Sequence, residues 1–170
     1  MARAVYISQI GCLVHFFYLS SHRASNYLLG TVVRDTGLKK KKAEALYAVY
    51  RRGLDEGRFS SLSAAGDWCS HQPAPCFYIS AKRASLLLGR IFAGISLLDL
   101  SASQRRMVWR LHDDYRRYLR EHPGTTLSRE RILELLVDEP APEFYMTGDA
   151  ARRVLRAEIV RQRKRKKWYV

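Results

Sequence analysis

Two stretches of this chain set a hydroxyl residue one helical turn ahead of an arginine: Ser20-Ser21-His22-Arg23 and Ser80-Ala81-Lys82-Arg83. Each precedes an apolar i, i+3, i+4 pattern, so each reads as a helix start. A helix N-terminus carries partial positive charge, and cations in its first turn are disfavoured unless an anion compensates. A hydroxyl cap, free backbone N–H groups and a cation within one turn together make a cradle for phosphate. Ser20, Arg23, Ser80, Lys82 and Arg83 are therefore expected to contact the backbone of a nucleic acid. A third such start, at Thr147, carries Asp149 and obeys the ordinary helix preference, so no phosphate is expected there. The plainer alternative leaves Arg23 and Arg83 leaning into solvent at a small penalty.

Further cations cluster in three places. Lys39 and Lys40 open a run of four lysines at another helix start, and Arg106, Arg110 and Arg117 belong to a basic helix interleaved with Trp109, Tyr115 and Tyr118. The C-terminal segment holds Arg152, Arg153, Arg156, Arg161, Arg163, Lys164, Arg165, Lys166 and Lys167, with Glu158 the one acid among them. Such density repels itself and predicts a tail that frays in the absence of a polyanion. Trp168 and Tyr169 follow at once and suit stacking on unpaired bases. The whole chain has a formal charge of +14 and a pI near 10.1 over 170 residues, a balance that favours nucleic acid over an anionic membrane. Residues 128–149 run the other way, with six acids against two arginines, and are expected to face solvent, a basic surface or a protein partner.

Catalytic spacing is lacking. His112-Asp113-Asp114 offers a histidine and two carboxylates, but no second cluster accompanies it, and the triplet is expected on a helix surface. Cys12, His15, Cys69, His71 and Cys76 have none of the spacings of a compact zinc knuckle, so no metal or cofactor is expected. The odd cysteine count, without a CxxC pair, fits a reducing cytoplasm. No run of 18 uncharged apolar residues is present, and no membrane association is expected.

The elements that must position these residues recur. Phe17-Tyr18, Phe77-Tyr78 and Phe144-Tyr145 are each followed by a hydroxyl residue (Ser20, Ser80, Thr147) and, four residues later, by Ala24, Ala84 or Ala151. The last two copies extend backwards through Pro73-Ala74-Pro75 and Pro140-Ala141-Pro142 to Tyr50-Arg51-Arg52 and Tyr115-Arg116-Arg117. Residues 50–88 and 115–155 share 14 identities, with two extra residues placed before the second copy's first proline. A repeat of this length is a structural unit, and differences between its copies carry function.

Each full unit reads as a long amphipathic helix, a second helix near Leu62 or Leu127, an extended proline-bounded link, and a third helix. The expected fold is mainly α: tandem helix–extended link–helix repeats that loosely resemble a helix-turn-helix arrangement, with short β-strands at the Phe-Tyr segments. The expected division is a partial repeat over 1–38, full repeats over 39–100 and 101–160, and a basic tail over 161–170. The expected function is non-catalytic binding of nucleic acid, with DNA ahead of RNA. Two rivals are an accessory subunit docking partners through its repeats and a metal-dependent nucleic-acid enzyme.

Overall fold

The structure, a computed structural model, describes residues 37–167, with side chains through Arg165. Six helices account for most of this region: α1 (37–55), α2 (Leu62–Ser70), α3 (Ala81–Phe92), α4 (Ala102–Glu121), α5 (Arg129–Leu136) and α6 (Gly148–Lys167). The fold is mainly α, and the described residues from 40 onwards form one compact unit. The partial repeat at 1–36 lies outside the described residues.

Local chemistry explains where the helices start. Ser61, Ser80, Ser101 and Ser128 have extended backbones, and their side chains accept hydrogen bonds from the backbone N–H groups of Ala64, Arg83, Gln104 and Arg131. Gln104 reaches back to the N–H of Ser101, completing a capping box. The Thr147 hydroxyl accepts from Ala150 N–H at 3.2 Å ahead of α6. These caps correct the repeat's register. Ser61 and Ser128 cap equivalent helices, so the two extra residues lie in the turn before the second helix rather than before the proline.

The two full repeats exchange their parts. The third helix of each packs on the second helix of the other, α6 on α2 and α3 on α5. The links cross between them, related by an approximate twofold. Ala74 and Ala141 form an antiparallel bridge, each N–H donating to the other's carbonyl at 2.9 Å. Phe77 N–H donates to Val137 O (3.0 Å), and Phe144 N–H donates to Ser70 O (3.2 Å), so each link satisfies a carbonyl at the end of the other repeat's second helix. Phe77 stacks on Tyr145 (5.9 Å between centroids) and Tyr78 on Phe144 (6.0 Å). The modules expected at 39–100 and 101–160 therefore share one core.

The expected β-strands at the Phe-Tyr segments do not form among the described residues. Proline has no N–H, so in Pro-Ala-Pro the alanine alone can donate to a ladder. One bridge is the result. Further along the links, the N–H groups of Phe77 and Phe144 turn to helix ends instead.

The core gathers Leu46, Phe77, Leu88, Val108, Leu111, Ile132, Leu133, Phe144 and Leu155 from both repeats. Two glycines set close approaches within it. A Cβ on Gly66 would lie 2.5 Å from the carbonyl oxygen of Gly148, so α2 meets the start of α6 backbone to backbone. A Cβ on Gly53 would fall 2.6 Å from the Phe59 ring and 2.7 Å from Trp68. Tyr145 alone among the described non-glycine residues has a positive φ, at 48°. That conformation costs a non-glycine residue about 1–2 kcal/mol, and burial of its stacked ring offsets it.

The C-terminal tail expected at 161–170 begins inside a helix. α6 is seated on α2 over its first turns, and extending a nucleated helix needs one backbone bond per added residue. Residues 161–167 therefore continue α6.

Candidate nucleic-acid interface

The predicted cations fall into two groups, separated by whether a carboxylate meets them. On α4, Arg106 pairs with Glu143 (2.9 Å), while Arg110 (3.0 Å) and Arg117 (2.8 Å) both pair with Asp114. The side chain of Asp114 is only 4% exposed, so this carboxylate is held inside the fold by two guanidiniums. Arg152 pairs with Asp149 (2.7 Å) and Arg161 with Glu158 (2.7 Å), which also accepts from Gln162 Nε2 at 2.6 Å. These five arginines neutralise acids of the chain itself.

The second group lies on α6. Arg153, Arg156, Arg163, Lys164 and Arg165 are exposed and make no ion pair among the described residues. At 3.6 residues per turn, the first four fall within an arc of about 100° and span roughly 17 Å along the axis. Ala151, Leu155 and Glu158, the buried residues of α6, lie on the opposite side. The stripe is therefore the outward face of a helix whose inward face is anchored on α2. Arg165 lies outside this arc.

At the start of α3, Ser80 caps the helix, and Lys82 and Arg83 are exposed in its first turn. The cradle is not purely cationic. Arg90 chiefly, with Arg83 adding to it, holds the Asp99 carboxyl below its ordinary range. Lys39 and Lys40 are exposed at the beginning of α1. Two residues along, Lys42 lies over the Tyr78 ring at 5.7 Å, and burial pushes its ammonium pKa down. Ser20, Arg23 and Trp168, and the side chains of Lys166 and Lys167, lie outside the described residues.

One other expectation resolves differently. His112 and Asp114 are buried rather than on the surface, and only Asp113 of that triplet is exposed. Half of the acids of the 128–149 segment meet arginines of the chain itself, one of the outcomes expected for it: Glu134 pairs with Arg131, Glu143 with Arg106, and Asp149 with Arg152. The Phe-Tyr rings belong to the core, with Phe77, Phe144 and Tyr145 each at most 8% exposed. Among the described residues no three histidine, cysteine or acidic side chains converge as a metal site, and no helix is long and apolar enough to cross a membrane. Cys69 is buried, and burial pushes its thiol up to about 11.

One feature escaped the sequence reading. Tyr47, Tyr50, Arg51 and Leu54 on α1 face Ile159, Gln162 and Arg163 on α6 across a groove of about 240 Å³. Arg163 thus belongs to both the stripe and the groove. In the sequence Arg51 stands out only through the Tyr50-Arg51-Arg52 match; the available signal is the repeat register, which sets Ile159 where the other copy has Phe92.

Compared with known proteins, the chain matches no family model, no curated protein sequence and no solved structure.

Proposed function

We propose that this chain binds nucleic acid without catalysing a reaction, and that the outward face of α6 is the principal contact. The observation that carries the reading is the stripe of Arg153, Arg156, Arg163 and Lys164, exposed, unpaired among the described residues and opposite the helix's buried side. Cations already matched by carboxylates contribute little to a polyanion's affinity, because binding would have to break those pairs. Unpaired cations on a rigid helix release the counterions of each phosphate they meet, which drives association. The stripe reads phosphates, which DNA and RNA share, so the proposed ligand is nucleic acid of either sugar. A non-catalytic role is supported by the carboxylates themselves: Asp114, Glu143 and Glu158 are each engaged by arginine rather than directed into a common cleft.

The test is a salt-titrated binding assay against duplex DNA, single-stranded DNA and RNA of equal length. Affinity that falls steeply and linearly on a log–log plot supports the reading. Failure to bind any of the three at low salt overturns it.

The accessory-subunit reading gains no docking surface from the Phe-Tyr rings, which pack in or against the core. What favours it is exposed apolar surface at Ile95 (55%), Leu98 (80%) and Trp109 (49%). Under that reading, Leu98→Ser would abolish assembly with the partner and leave nucleic-acid affinity unchanged.

A further inference from the structure

The approximate twofold relates the α1–α6 groove to a second place in the molecule, where α4 meets α3. Measured from the caps, Ile159 follows Thr147 by the same interval as Phe92 follows Ser80. Likewise Tyr47, Tyr50, Arg51 and Leu54 correspond to His112, Tyr115, Arg116 and Leu119. At the α3–α4 position the corresponding place holds a half-exposed ring, Phe92 (50%). Phe92 packs against His112 (5.5 Å between centroids) and Tyr115 (5.9 Å), with the Arg129 guanidinium over it at 5.8 Å. At the α1–α6 position the ring is replaced by the smaller Ile159, and the groove of about 240 Å³ remains. The same framework holds an aromatic ring in one half and has room for one in the other.

The walls of the groove are pre-organised. Tyr47 contacts Tyr50 (6.0 Å), Tyr50 stacks on Phe59 (5.6 Å), and Phe59 packs on Trp68 (5.8 Å). The absence of a side chain at Gly53 permits the last of these contacts. A ladder of four rings thus ends at the groove, so a planar guest meets a surface already ordered. Arg51 and Arg163, both exposed, are among its lining residues, and no carboxylate lines the groove among the described residues. The guest that fits is planar, of single-ring to nucleobase size, and attached to an anion. The volume is below the roughly 300 Å³ at which pockets begin to hold drug-sized ligands.

We infer that this groove receives an unpaired nucleobase, stacked on Tyr47 and Tyr50, with its flanking phosphates held by Arg51 and Arg163. The inference rests on the nucleic-acid reading above and narrows its ligand to strands with unpaired bases. Because Arg163 also belongs to the α6 stripe, one strand can lie along the stripe and set a base into the groove without a break. Aromatic stacking is tolerant of base identity, so no strong sequence preference is expected.

The test uses the full chain, a fluorescent oligo-dT, a fluorescent oligo-U and a duplex of the same length, at fixed salt. Ile159→Phe sets a ring at the groove, where the other half has Phe92. It should melt no lower than the wild type, weaken both single strands about ten-fold and leave the duplex unchanged. Tyr47→Ala, at a half-buried position, should give the same selective loss. A folded Ile159→Phe or Tyr47→Ala protein that binds single strands as the wild type does would overturn the inference while the α6 reading stood; a groove built for an apolar peptide side chain would give that result. Equal losses on single strands and duplex would also overturn it. If the wild type binds none of the three probes, the nucleic-acid reading itself falls, and this inference with it.

Discussion

Neutralising the α6 stripe tests which cations matter, because the same substitution chemistry can be applied to cations the fold has already paired. The stripe variant carries Arg153→Gln, Arg156→Gln, Arg163→Gln and Lys164→Gln; the control carries Arg106→Gln, Arg110→Gln and Arg117→Gln. Each phosphate neutralised on duplex DNA contributes about 0.9 to the slope of log affinity against log salt. Four unpaired cations therefore account for up to about 3.6 of that slope, and for roughly a 150-fold share of the affinity lost between about 50 and 200 mM salt. The control should change the slope far less, because its arginines face Glu143 and Asp114. It should instead destabilise the fold: Asp114 loses both partners, and hydrogen bonds to charged groups contribute about 1.5–3 kcal/mol each. Fluorescence anisotropy over a salt series, with urea melts of all three proteins, separates the two effects. Equal slope losses in the two variants, or an unchanged slope in the stripe variant, would refute the division into paired and unpaired cations.

Three further outcomes bear on the fold that carries the site. Phe77→Ala removes a ring 2% exposed and stacked on Tyr145, and should lower unfolding free energy in urea by about 3–5 kcal/mol; a neutral result would mean that the crossed links are not core. Gly66→Ala places a methyl group 2.5 Å from the Gly148 carbonyl and should destabilise by about 1–3 kcal/mol as α2 and α6 part. A protein that melts unchanged would contradict the close approach. At alkaline pH, burial holds the Cys69 thiol up at about 11 and the Tyr78 and Tyr145 phenols at about 12, against ordinary values of 9.0 and 10.0. The unfolded chain gives up those protons first, so stability is full below about pH 9 and declines between about 9 and 12. A melting temperature that is flat across that range would refute the burial of these groups.

Some of the architecture was legible because its causes are local. The serine caps, the proline-bounded links and the i, i+3, i+4 stripes each depend on residues within a turn or two, and the helices follow them. The strand expectation at the Phe-Tyr segments failed for a local reason that had been present all along: each Pro-Ala-Pro keeps a single N–H donor. His112 and Asp114 were misplaced for a different reason. A charged residue in a helix reads as surface until its partners are known, and Asp114 is buried because Arg110 and Arg117 reach over it.

By itself, then, the chain's order of residues determined helices, joints, duplication and a large excess of positive charge. The tertiary structure alone decided that the two repeats exchange their third helices, that Arg106 meets a glutamate 37 residues away, and that Arg153, Arg156, Arg163 and Lys164 are left unmatched among the described residues. It also decided that a groove lies at Ile159 where the other half sets the Phe92 ring against His112 and Tyr115. Backbone caps and periodicity act over a few residues, whereas charge pairing and cavity volume depend on which distant side chains the packing of whole helices brings together.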